Sequence, residues 1–508
     1  QLPFAPPMPK PDSGYHYPGR EKSPAIDPGQ YRQTQYGSDY ASQARGQSQG
    51  QYKAAPFNEG QNYGPNTDQS YGQYNGPQAQ QYQNSQYPAQ SYQGQQSGPM
   101  SRPAKQSWKD RLGLGNLATT ISGFLKLGAA ATYEDNIAGD GAREDFIGDG
   151  MVRGEVSAIT QGGLEYGVGA ELRGQYDKYR RGFGGRVGDC PAGTPGCGSV
   201  DMNGTAVPVR GHTSGFYGAG ESNAKDFEYA LEGAYLFLRS AYGDITVGRD
   251  DGAAYLFSLG APSVVAVNAS NSSVDYTGLD SVKTYNDPSG FSEKIRYTSP
   301  RMLGDSIGVG VQVGVSYALD AKACGVDYCV KDNTAAALDP FAPDIEDIFE
   351  VGVALDRTFD NGFSAELTGT YARGSEASGL AAFDDLQTWG AGLELGYGDF
   401  KFGTSYLNSN NGLAGDGNYK AYDAGLTWQP SALGITLGYG HADDELTGLK
   451  SDQGVFALSY DIDNRYGKYR LGTGVQYIKR GVNVLDAGAV TRRDEDAIGL
   501  FVEAGVTF

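Results

Sequence analysis

Residues 498–508 read Ile-Gly-Leu-Phe-Val-Glu-Ala-Gly-Val-Thr-Phe, and they alternate without a break. Ile498, Leu500, Val502, Ala504, Val506 and Phe508 fall on one face; Gly499, Phe501, Glu503, Gly505 and Thr507 fall on the other. Side chains alternate faces along a strand, so an uninterrupted period of two marks this stretch as β. One face is almost wholly aliphatic. Such a strand suits hydrocarbon on one side and water on the other.

The same pattern runs back to Thr119. About sixteen alternating runs are predicted: 119–133, 150–162, 163–178, 226–242, 243–251, 293–301, 306–318, 347–359, 362–375, 386–398, 399–410, 418–430, 433–445, 452–463, 467–480 and 494–508. Short turns such as Tyr242-Gly-Asp, Phe359-Asp-Asn-Gly and Tyr397-Gly-Asp alternate with longer loops at 134–149, 179–225, 251–292, 319–346, 376–385, 409–417, 444–451 and 481–493. An even strand count with alternating short and long connections is the pattern of a 16-stranded antiparallel transmembrane β-barrel, both ends of which face the periplasm. A soluble all-β repeat would lack that asymmetry and would turn its apolar faces inward.

Bulk composition agrees. The chain has 508 residues and a formal net charge of −20, with a mean hydropathy of −0.47. No apolar run is long enough for a transmembrane helix, a test blind to alternating strands. Abundant Gly (76) and Tyr (36) suit small lipid-facing positions and interfacial aromatic girdles. The acidity argues against nucleic acid as a partner. Because residue 1 is Gln, an export signal is expected to have been removed. Cys190 and Cys197 frame CPAGTPGC, and Cys324 and Cys329 frame CGVDYC. Two local disulfides in surface loops are the simplest reading; zinc is the weaker alternative.

Residues 1–107 differ in kind. They are built from Gln, Tyr, Gly, Pro, Ser and Asn and hold almost no aliphatic residues. Such an arm cannot bury enough apolar area to offset ordering entropy, so it is expected to be disordered or extended in the periplasm. Residues 108–118, with Trp108, are expected to link it to the barrel mouth, and 119–508 to form the barrel.

A barrel of this size holds water, so inward residues should be polar. Alternation places Lys126, Arg153, Glu155, Glu165, Glu171, Arg173, Lys294 and Arg296 inward. Strict alternation from Val247 puts Arg249 outward, unless a bulge near Gly248 re-aims it. The loop 251–292 is too long for a simple hairpin, and its first half (AAYLFSLGAPSVVAV, 253–267) is too apolar for an exposed tip. It is expected to fold against the inner wall, with Asp275, Asp280 and Asp287 following. The result would be a narrow slot with a transverse field.

SGFLKLG (122–128), VRGEV (152–156), VGRDDGAAY (247–255), EKIRYTSP (293–300) and GLFVEAGVTF (499–508), in that order and spacing, resemble the trimeric general-diffusion porins of proteobacteria, in texture most like those of alphaproteobacteria. The similarity covers about 119–508. It implies an outer-membrane homotrimer surrounded by lipid and lipopolysaccharide, whose terminal aromatic is read by the assembly machinery. It further implies a basic side to the constriction at Lys126, Arg153, Arg249 and Arg296. Asp275 and Asp280 are the candidates for the acidic side.

Three functions follow. The first is a passive channel for ions and small hydrophilic solutes, without cofactor or catalytic residues. The second, compatible with it, is a tether in which the arm holds the membrane to the cell wall or to a periplasmic partner. The third, an enzyme, lacks support: His441 lies beside Asp443 and Asp444 but no nucleophile motif accompanies it. Acidic clusters at Asp140, Glu144, Asp145 and Asp149, at Asp344, Glu346 and Asp347, and at Asp443, Asp444 and Glu445 have the ligand chemistry for Ca²⁺ and for bridging to lipopolysaccharide. A solvated acidic surface is the ordinary reading of any one of them.

Overall fold

The computed structural model describes residues 117–135, 142–160, 162–177, 199–202, 205–209, 211–217, 227–272, 274–304, 308–323, 325–326, 342–464, 467–486 and 489–508. The arm, most of the 108–118 linker and all four cysteines lie outside the described residues.

In chain order the elements are β1 (Ala118–Asp135), β2 (Ala142–Ile159), β3 (Glu165–Asp177), β4 (Ser199–Met202), β5 (Thr205–Pro208), α1 (His212–Tyr217), β6 (Phe227–Ser240), β7 (Gly243–Arg249), α2 (Ala253–Leu256), β8 (Glu293–Thr298), β9 (Gly310–Asp320) and β10 (Ile345–Thr358). They continue with β11 (Phe363–Glu376), β12 (Leu386–Tyr397), β13 (Phe400–Ser409), β14 (Tyr419–Trp428), β15 (Leu433–Asp444), β16 (Leu449–Asn464), β17 (Gly467–Asp486) and β18 (Ala489–Thr507). Sixteen of these strands form one closed antiparallel barrel; β4 and β5 pair only with each other. The barrel closes where β18 lies against β1, in register from Phe124↔Thr507 to Asp135↔Asp496. Closure leaves no sheet edge unpaired, the condition for crossing hydrocarbon with strands.

The side-chain period of two decides which way each strand faces. Leu500 (63% exposed), Leu236 (60%) and Leu437 (59%) belong to an outward aliphatic surface that runs round the barrel. Their sequence neighbours Phe501, Tyr235 and Thr436 point inward and are buried. This is the inverse of a soluble barrel, and the outward surface calls for a lipid solvent. No helix among the described residues is long and apolar enough to cross a membrane.

Three predicted loops are much shorter than expected. The segments 134–149, 444–451 and 481–493 are largely strand: β1 and β2 run to Asp135 and from Ala142, β16 starts at Leu449, and β17 and β18 reach Asp486 and Ala489. Charged residues such as Arg492 and Arg493 read as loop, yet they continue the ladder opposite Asn483 and Val482. Backbone pairing does not need an apolar face, so hairpins that leave the membrane lose their sequence signal but keep their hydrogen bonds. Ala118, placed in the linker by sequence, already pairs with Ser157.

Apolar clusters lie inside the barrel. Val264, Val265, Ala266, Val267, Ala269, Val274 and Tyr276 pack with Ala130, Ile147, Val455, Ala457 and Phe501 of the inner wall. The segment between β7 and β8 therefore occupies the interior.

Candidate functional site: an inward segment and a charged lumenal strip

The segment 251–292 is held by the inner wall strand after strand. Its amide groups donate to side chains: Ala253 to Ser316 of β9, Ala254 to Glu350 of β10, Ala261 to Asp423 of β14, Val264 to Thr436 of β15 and Ala266 to Glu503 of β18. Asn286 bonds Thr370 of β11 and Thr388 of β12. A chain without ladder partners must satisfy its buried amides somewhere, and here the polar lumenal side chains do it.

Close approach is made by glycine. A Cβ on Gly440 would lie 2.2 Å from the Ala269 carbonyl, one on Gly392 2.6 Å from the Leu259 Cβ, and one on Gly128 1.5 Å from the Tyr276 hydroxyl. Gly314, Gly352, Gly403, Gly425, Gly434 and Gly472 face the same segment at 2.4–2.9 Å. A strand glycine costs packing and entropy, and it is expected where another backbone comes near.

Opposite this lined wall, β2, β3, β6, β7 and β8 carry a strip of inward charges. Arg173 is buried and bidentate on Asp149 (2.9 Å to each oxygen), with Glu232 at 3.9 Å. One step along β3, Arg153 holds Glu171 through Nε at 2.8 Å. Arg239 binds Glu155 at 3.0 Å with Glu165 at 3.7 Å, and the Tyr235 hydroxyl donates to Glu155 at 2.8 Å. Arg296 meets the Asp250 carboxylate at 2.8 Å and donates to the Asp251 carbonyl.

The structure thus brings Arg153, Arg173 and Arg296 onto one strip. Lys126 faces inward on β1, in register with Asp149 and with Nζ 5.0 Å from the Phe124 ring centre. Arg249 pairs in register with Ala234 and Glu293, both exposed on the outer side. Gly248 has φ +131, but no residue is inserted, so the ladder keeps its alternation there. Asp275 caps a turn of its own segment, accepting from Thr277, Gly278 and Asp280 amides. Asp280 pairs with Lys283 at 2.7 Å and accepts from Gln453 of β16 at 2.7 Å. These partners fasten the segment to itself and to the wall.

Sequence reasoning passed over Arg239, Glu232 and Asp250. Arg239 was legible, because Leu236 and Leu238 on the outward face imply it. Glu232 is the extra residue of a bulge opposite Glu171 and Leu172, and Asp250 lies beyond the strand end, where alternation stops speaking.

A second segment crosses the mouth. Between β3 and β6, α1 docks beside the turn that follows β13: the His212 amide donates to the Asn411 carbonyl (2.7 Å), Thr213 meets Ser409 (2.6 Å) and the Ser214 amide donates to Asn411 (3.0 Å). His212 Nε2 donates to the Pro288 carbonyl of the inward segment at 2.9 Å. Burial pushes this histidine down to about 4, against the opposing effect of the carbonyl hydrogen bond. Val209 seats among Ala382, Phe383, Leu413 and Leu446.

Asp140 lies outside the described residues, and the described members of the acidic clusters do not gather as acid. Alternation turns Asp145 and Asp149 inward and Glu144 outward. Asp344 and Glu346 share Lys322, Asp443 pairs with Lys450 and Glu445 with Lys420. Among the described residues no group of three or more acidic, histidine or cysteine side chains is placed to hold a metal.

An outward aliphatic barrel with a charged interior defines an outer-membrane channel protein. The Gram-negative porin family model matches residues 89–479, and the chain belongs to that family. It is accordingly an outer-membrane diffusion channel of a Gram-negative bacterium, and not an enzyme. Solved structures of similar fold include an anion-selective porin from Comamonas acidovorans (15% identity, 77% of this chain and 100% of that one, TM-score 0.42). Others are the outer membrane channel DcaP of Acinetobacter baumannii (13%, 78% and 98%, 0.45) and the trimer form of OmpT, an outer membrane protein of Vibrio cholerae (10%, 77% and 100%, 0.40). No curated protein matches the chain.

Proposed function

We propose that the protein is a passive, water-filled pore for ions and small hydrophilic solutes, narrowed by the segment 251–292 facing the strip of β2, β3, β6, β7 and β8. The observation that carries this reading is the path of the segment. Its contacts follow the inner wall from β9 round to β18 and β1, so the passage is left beside the strip that bears Arg153, Arg173, Arg239 and Arg296. Solutes would meet oriented charges there, and passage would depend on size and charge. Trimeric assembly is part of the same reading, supported by the resemblance to trimeric general-diffusion porins.

Purified protein in planar bilayers is expected to give discrete conductance steps, grouped in threes if the trimer holds. Neutralising Lys126, Arg153 and Arg296 together (K126Q, R153Q, R296Q) is expected to move the reversal potential in a salt gradient toward cations. An unchanged potential would remove these residues from the constriction.

A further inference from the structure

We infer that α1 and the turns that seat it form a second restriction at the outer mouth, in series with the inward segment, which limits solutes by size before they meet the charged strip. The inference rests on the diffusion-channel reading and adds a place of selection to it. The seat is made by three hairpin ends. Phe383 of the β11–β12 connection and Leu413 of the β13–β14 connection form an antiparallel bridge. Beside it the Asp384 amide donates to the Gly412 carbonyl at 3.1 Å and the Ala414 amide to the Ala382 carbonyl at 3.0 Å. Leu446 of the β15–β16 connection packs with them, and Val209, ahead of α1, completes the apolar cluster. The ends of β11–β16 are thus tied into one platform.

α1 is fixed to that platform at backbone distance. A Cβ on Gly211 would lie 2.3 Å from the Asn411 side chain, an approach that glycine permits. Asn411 is fully buried; its side-chain nitrogen donates to the Gly417 carbonyl at 2.7 Å while its oxygen accepts the Ser214 amide. An amide engaged at both ends couples the platform to α1. Thr213 meets Ser409 on the lumenal face of β13, and His212 reaches Pro288, so α1 lies inside the rim and against the inward segment. The connection leaves from β3 and returns to β6, half a circuit away from β13 and β14. Its docked middle therefore brings backbone over the bore. Short turns join the strands at the opposite end: Ser240 to Gly243, Tyr397 to Phe400 and Trp428 to Leu433. At no more than about 3.6 Å per residue, such turns cannot reach across sixteen strands spaced about 4.8 Å apart. Pore diameter sets which neutral solutes enter, so the two ends should admit different sizes.

The test uses neutral polyethylene glycols of graded mass, added to one side of a planar bilayer at a time, with the conductance of the full-length protein as the readout. A polymer lowers conductance only when it enters the pore from its own side. The wild type is expected to show a lower mass cut-off from one side than from the other. T213A with N411A, and separately V209D, are expected to raise the lower cut-off and to reduce or abolish the difference, with the higher cut-off unchanged. G154A, on the lipid face, keeps both values. The first variant spares the apolar seat and the second spares the hydrogen bonds, so one folded variant is enough. Absence of any conductance sinks the channel reading. Equal cut-offs in the wild type, a difference that survives in the folded variants, or a higher cut-off that moves as well, overturns this inference alone.

Discussion

Asp423 shows how much of the interior depends on one side chain. Fully buried on β14, it accepts the Ala261 amide (3.0 Å), the Ser405 amide and hydroxyl (both 2.7 Å), the Thr284 hydroxyl (3.2 Å) and the Ser270 hydroxyl. Ala261 and Ser270 belong to the first half of the inward segment and Thr284 to the second, so a single carboxylate pins both. Asn271 knits the halves again, its amide oxygen accepting from Thr284 and Tyr285. Asp423→Ala would leave two buried amides without acceptors, at a cost of about 1–3 kcal/mol each. The barrel, held by its ladders, is expected to persist while the segment loosens. Single-channel traces should then show flicker absent from the wild type, with a weaker effect in Asp423→Asn, which keeps an acceptor oxygen. Quiet traces in the alanine variant would deny Asp423 the role of pin.

At the level of the strand, the glycines of the barrel divide by the face they occupy. Gly440 and Gly392 face the inward segment at contact distance, whereas Gly154 and Gly369 share the outward face with Val152 and Leu367, and a Cβ there would meet nothing within 4 Å. Gly440→Val should therefore cost about 1–3 kcal/mol through overpacking, and Gly154→Ala close to nothing. Thermal unfolding of the purified barrel checks the contrast, and equal shifts would count against it. The same strands show how far the sequence is readable. Period-two alternation is local, so it identifies the lipid-facing residues of β18 and the inward turn of Arg153, Arg173 and Arg296 directly. The partners of those residues are not local. That Arg173 takes Asp149, or that Asp280 takes Gln453, follows from register and from the path of a segment with no period of its own. Asp275 and Asp280 look like pore-lining acid in the sequence because nothing there distinguishes a carboxylate facing solute from one capping a turn.

Across the whole molecule, the connection between β3 and β6 reaches the far side of the mouth. Those strands are third and fourth in the barrel order, while β13 and β14 are eleventh and twelfth of sixteen. The docked position of α1 keeps His212 neutral, since burial has lowered its pKa to about 4 from an ordinary 6.5. The sign follows: an undocked histidine takes up a proton below about 6.5 and the docked one does not, so docking is fully favoured above that pH. It weakens by up to about 3 kcal/mol as pH falls toward 4. Channel access should change over that interval, and His212→Gln should remove that part of the pH response. An identical titration curve in the variant would exclude His212 as its source. The docking also implies an order of events. Thr213 and Ser409, whose hydroxyls meet, are separated by 196 residues of chain, and the seat exists only once β13 and β14 have taken their places. The crossing at the mouth is thus a latch fastened late, after the enclosure beneath it has been built, and a barrel stalled before that stage would present an uncovered entrance.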